Sequence, residues 1–206
     1  MKKIILTVFA ATSLLLYSTP SFALVSVSVG IPMSQAITGT KGHAASYDLT
    51  YGNAPDKTGG YFLGVSFLSI GLGIDSYTTK FKTGDCNGCW DAKYAAGLKT
   101  NMTNIFYQLP VPIVNLIIGL GTGTTEYVGT NDDGKDFSVF FDKGSATQWY
   151  TSIGIPLIPL FDIHLSYRSI TAKNIKIKGT ELKTGTDYKK DDNSGSVTGI
   201  GLAFNF

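Results

Sequence analysis

The chain has 206 residues, 43% of them hydrophobic and 16% charged, with 17 Lys and Arg against 15 Asp and Glu. Lys2 and Lys3 belong to an N-terminal leader, so the remainder is balanced in charge and carries no electrostatic footprint for nucleic acid. Beyond that leader no stretch approaches the ~18 consecutive apolar residues of a membrane helix, which excludes helical anchoring.

The leader, MKKIILTVFAATSLLLYSTPSFA, joins two lysines to an apolar run and a small-x-small ending at Ser21 and Ala23, the build of a secretory signal. Residues 1–23 are expected to be removed and residues 24–206 to form one domain. From there on the pattern alternates with a period of two, glycine is abundant, and no 3.6-residue period stands out. Strands are predicted at 24–34, 60–68, 70–80, 93–107, 114–127, 146–157, 161–173 and 196–206.

Charge marks the connections. Nearly all charged side chains beyond the leader fall in the windows 36–59, 80–93, 129–144 and 173–195; between them stand only Asp75, Lys99, Glu126, Asp162 and Arg168. The centres of the intervening stretches, SFLSIG, QLPVPIVN and IGIPLIPLFD, read as tight turns, two of them with the Pro that interior strands exclude. SFLSIG has no Gly or Asn at its tip, so the boundary between strands two and three is the least marked. Long polar loops thus alternate with short apolar turns, and the fold class expected is all-β: an eight-stranded antiparallel up-and-down transmembrane β-barrel.

Alternation also sorts the two faces. Val25, Val27, Val29 and Ile31 share one side of the first strand, and Tyr61, Leu63, Val65 and Phe67 one side of the second; the opposite sides carry Ser26, Ser28, Gly64 and Ser66. Later strands repeat the scheme, with Leu116, Ile118 and Leu120 backed by Gly119 and Gly121, and Ile153 and Ile155 backed by Ser152 and Gly154. A soluble barrel would coat its outside with Lys and Glu, and nothing here supplies that coat. Large side chains facing hydrocarbon and small or polar ones facing a narrow lumen account for both faces, and closure satisfies the backbone inside a bilayer. A lipocalin-like secreted barrel is the alternative, because alternation alone does not tell inside from outside.

In the loops, Cys86 and Cys89 of TGDCNGCWD would meet an oxidising compartment and are expected to form a small disulfide. Two thiols with only His43 and His164 elsewhere are too few for a metal site, and no cofactor is expected. Inside the barrel, centring the second loop near Asn87 pairs Asp75 with Lys99 as a lumen ion pair. Strand seven, FDIHLSYRS, sets Asp162, His164, Ser166 and Arg168 on one inward face. Acid, imidazole and hydroxyl in that order match a nucleophilic triad, so Asp162, His164 and Ser166 are catalytic candidates; a hydrogen-bonded lumen plug is the plainer reading of the same residues. Arg168 is expected to reach Asp162 through His164, or Glu126 near the loop end.

The chain closes on GIGLAFNF, with Leu202, Phe204 and Phe206 on one face. Together with the leader, the eight strands and the asymmetric ends, this resembles the small outer-membrane barrel proteins of Gram-negative bacteria, the OmpA and OmpX kind. The resemblance implies an outer-membrane location, lipid as solvent, and a terminal strand (Leu202, Phe204, Phe206) read by the barrel assembly machinery. His164-x-Ser166 is also similar to the His-x-Ser of outer-membrane lipid A deacylases, although Tyr167 stands where that family carries a residue such as Asn.

The function expected is that of a non-enzymatic outer-membrane scaffold whose four polar loops serve adhesion or envelope maintenance, through an extracellular ligand at the loops. A narrow conduit for small or hydrophobic solutes, and lipid A hydrolysis by His164 and Ser166, are the alternatives.

Overall fold

In the computed structural model, residues 24–37, 55–81, 97–111, 114–129, 134–139, 141–158, 160–173 and 193–206 are described. The leader, the Cys86–Cys89 pair and the greater part of the loops lie outside them. The period-two segments form eight strands: β1 (Val25–Ile37), β2 (Pro55–Phe67), β3 (Ile70–Phe81), β4 (Gly97–Val111), β5 (Val114–Val128), β6 (Gly144–Ile158), β7 (Phe161–Lys173) and β8 (Gly195–Asn205). Each pairs antiparallel with the next, and β1 closes on β8 from Ser26↔Asn205 to Ile37↔Gly195. The result is the closed up-and-down barrel the sequence predicts, and closure leaves no sheet edge unpaired.

Strand ends differ from the predictions by up to five residues, chiefly at the loop end, where β2 begins at Pro55 and β1 runs on to Ile37. The prolines explain part of this. Register shifts lie beside Pro32, Pro55 and Pro156, so strands continue past a residue without an N–H by bulging around it. In β1 the shift also reverses parity: Val27, Val29 and Ile31 face out, yet Gln35 turns inward, where it accepts a hydrogen bond from Thr79. The SFLSIG hairpin closes through Leu68 and Ser69, at φ 47° and 73°. Positive φ at both central residues is what a two-residue hairpin needs to match strand twist, and here it is imposed on two residues with a Cβ.

The outer wall is apolar. Val65 is 54% exposed, Ile118 50% and Leu202 42%, and Leu72, Ile105, Trp149, Ile155 and Leu165 stand out beside them. The inverted pattern inferred from alternation is therefore the one built. The lumen departs from expectation in being filled by large side chains as well as small ones. Phe62, Tyr77, Phe106 and Tyr150 all point inward and are buried. The glycines give them room: a Cβ at Gly71 would lie 2.1 Å from the Phe106 ring, and one at Gly119 would lie 2.2 Å from the Tyr150 ring.

Candidate functional site

The inward faces of β3, β4, β6 and β7 meet halfway along the barrel, and there a fully enclosed arginine–carboxylate pair forms. Arg168 of β7 donates from Nε to Asp75 Oδ2 at 3.0 Å, with Nη2 at 3.5 Å from Oδ1. The two strands lie on opposite sides of the barrel, so the pair spans the lumen. Gln148 of β6 donates to Asp75 Oδ2 and to Asn104 Oδ1 of β4, each at 2.6 Å. The guanidinium carbon sits 3.5 Å from the Phe62 ring centre and 4.7 Å from that of Tyr150, a cation held between two π faces. Carboxylate, amide and aromatic faces together replace the water that a buried charge loses.

Lys99 is not part of this pair. The β3–β4 register sets Lys99 opposite Thr78 and Asp75 opposite Met102, a three-residue offset from the pairing inferred by centring the loop. An odd offset exchanges the faces of a strand, so Lys99 points outward, and its Nζ lies 3.8 Å from Glu126 Oε1 of β5. Lys143 approaches the same carboxylate at 3.1 Å.

A second cluster lies nearer the turns. Asp162 of β7 accepts hydrogen bonds from Asn115 of β5 and, at 2.9 Å, from Asn205 of β8. His164 Nε2 is 3.8 Å from Asp162 Oδ2, and its Nδ1 is 3.2 Å from Ser152 Oγ of β6. Ser166 instead donates to the Gly199 carbonyl at 3.3 Å. The structure thus brings Asp162, His164 and Arg168 to one inward face, as the alternation implies, but Ser166 does not meet His164, and Arg168 reaches neither Asp162 nor Glu126. Ser152 is the hydroxyl on the imidazole. In the sequence Ser152 is one small lumen residue among several, and its register partner Ser166 stands nearer His164 along the chain. Asn115, Asn104 and Gln148 were also missed, although each sits at an inward parity position where a polar side chain is conspicuous.

Between the two clusters is a cavity of about 50 Å³ lined by Ser28, Phe106, Tyr150, Ser152, His164 and Arg168, among others. Arg168 Nη1 and His164 Nε2 have no hydrogen-bond partner there. A space of this size suits a few waters and excludes an acyl chain. Towards the loops the lumen is filled by apolar clusters set among buried Gln35, Thr79, Thr100 and Thr125: Tyr77, Met102, Ile170 and Val197 pack together, and above them Phe81 and Leu98 pack against Ile37, Tyr127 and Phe141. Among the described residues no group of three or more His, Cys, Asp or Glu is placed to hold a metal ion.

The barrel resembles known structures in fold. The crystal structure of Neisserial surface protein A superposes with a TM-score of 0.54 at 12% identity, covering 88% of this chain and 96% of that one. The outer membrane protein OprG from Pseudomonas aeruginosa superposes with a TM-score of 0.53 at 12% identity, covering 89% and 96% respectively. At such identity the likeness is one of fold, an eight-stranded closed antiparallel β-barrel. No protein-family model matches the sequence, and no curated protein does.

Proposed function

We propose that this chain is an integral protein of the bacterial outer membrane, a closed barrel that acts as a rigid, non-enzymatic scaffold for its four polar loops, which serve adhesion or an envelope role. The observation that carries this reading is the outer wall: bulky apolar side chains such as Leu72, 67% exposed, and Leu120, 62% exposed, surround a barrel that has no core large enough to need them. Hydrocarbon is the solvent in which that arrangement is stable. The lumen supports a scaffold better than a conduit. It is crossed by the Asp75–Arg168 pair and stopped above by apolar packing, so a solute would have to break both. Hydrolysis draws little from His164, whose hydroxyl partner Ser152 opens only onto a cavity the size of a few waters.

The test is extraction and refolding. Protein from the membrane fraction should require detergent, migrate faster on a semi-native gel before boiling than after, and give β-type circular dichroism. Solubility without detergent would overturn the membrane reading. In planar bilayers the folded protein should give no steady conductance, and a persistent channel would replace the scaffold with a conduit.

A further inference from the structure

The outward charges cluster at one place on the wall. Lys57 of β2 stands directly opposite Lys80 of β3, and both are exposed. Lys99 of β4 faces Thr78, which makes it the diagonal neighbour of Lys80, and it stands opposite Glu126 of β5, to which Lys143 also reaches. The ridge therefore sets four lysines against one glutamate. Directly opposed like charges weaken a sheet, and among the described residues neither Lys57 nor Lys80 has an ion-pair partner. Asp56, the extra residue in the β2 bulge, and Asp142 lie one residue further towards the loops.

Height decides what this ridge meets. From Ile70 at the turn to Lys80, β3 climbs ten residues, which at ~3.4 Å each and a tilt of ~40° is about 26 Å. An outer-membrane barrel's apolar band is ~25 Å tall, so the ridge sits at headgroup level in the leaflet nearest the loops. Beneath it Ser76, Thr78 and Asn101 form a polar step, with the Ser76 hydroxyl 2.7 Å from Asn101 Oδ1, and beneath that Leu72 and Ile74 continue the apolar wall.

We infer that this face of β2–β5 binds the phosphate groups of anionic lipids, with the lysines at the phosphate, the hydroxyl and amide step beside the lipid's polar backbone, and the acyl chains along the belt. The inference rests on the membrane reading above. Its occupant is a lipid and not a free anion, because exposed lysines on an open wall hold phosphate well only when acyl chains add their own contact.

The test uses full-length protein whose heat-dependent gel shift already shows insertion, so failure of the membrane reading is seen first and separately. In nanodiscs of equal phosphatidylcholine and phosphatidylglycerol, lipids retained through extraction are counted by native mass spectrometry. The wild type should retain phosphatidylglycerol preferentially. Lys57→Gln and Lys80→Gln should each lower that preference about fivefold, and Glu126→Gln, which removes the carboxylate that Lys99 and Lys143 share, should raise it. The opposite signs separate binding from loss of fold, and either lysine variant suffices if the other does not insert. Unchanged preference in the lysine variants would overturn the inference, as would inorganic phosphate competing on equal terms with the lipid.

Discussion

Two ion pairs in this barrel put the same kinds of charge to unlike uses. Asp75 and Arg168 meet at 3.0 Å with side chains 2% and 7% exposed, while Lys99 and Glu126 meet at 3.8 Å with side chains 42% and 18% exposed. The first joins opposite sides of the barrel through its middle; the second joins neighbouring strands on the rim of its wall. What separates them is the loss of water. Inside, each charge depends on its partner and on Gln148, Phe62 and Tyr150, so the pair is an all-or-none unit. Outside, solvent and lipid headgroups can stand in for either member.

The sharpest way to break the comparison is to remove one buried partner. Arg168→Met leaves Asp75 without its cation in the lumen and should cost about 3–5 kcal/mol, read from reversible urea unfolding in detergent micelles or vesicles. Adding Asp75→Leu to it should recover most of that loss, because the pair's energy is spent largely on its own desolvation. A single variant as stable as the wild type would mean that water reaches the pair freely.

A smaller effect tests the walls of the same site. Gly119→Ala places a Cβ 2.2 Å from the Tyr150 ring, which cannot retreat without moving off the Arg168 guanidinium. Overpacking of this kind should cost about 1–3 kcal/mol in the same unfolding measurement. An unaffected variant would show that the lumen has slack. Next in size is the hairpin that sets the β2–β3 register and with it the inward face of Asp75. Replacing Leu68 by Asn and Ser69 by Gly relieves positive φ at both positions and should raise stability by about 1–2 kcal/mol without changing the fold. A loss would mean that Leu68, 61% exposed, contributes more to the apolar wall than the turn costs.

The alternation of Val27, Leu63 and Ile118 with Ser28, Gly64 and Gly119 was enough to read the barrel and its inverted faces, because a period of two and the hydrophobic effect act residue by residue. The strand-seven cluster was legible for the same reason: parity alone turns Asp162, His164 and Arg168 inward. Their partners were not. Centring a loop pairs Lys99 with Asp75, but a loop's centre does not determine register, and the three-residue difference puts Lys99 on the other face. The true partner of Asp75 lies across the barrel, beyond the reach of any neighbour-strand rule. Parity already turns Phe62 and Tyr150 inward beside the outward Tyr61 and Trp149, but which glycine leaves room for each ring depends on register and closure, so the aromatic filling is visible only in the closed barrel.

The smallest effect belongs to the exposed pair, and its smallness is the informative part. Lys99→Gln removes one of two lysines on Glu126 while Lys143 stays at 3.1 Å, and the carboxylate keeps access to solvent. A separation of 3.8 Å on a side chain 42% exposed leaves the Coulomb attraction screened, so the loss should not exceed about 1 kcal/mol. The same unfolding curves that register Arg168→Met as a large shift should therefore place Lys99→Gln near the wild type. A loss comparable to that of Arg168→Met would require Lys99 to be desolvated, and hence the loop-end wall to be covered rather than open to headgroups and water.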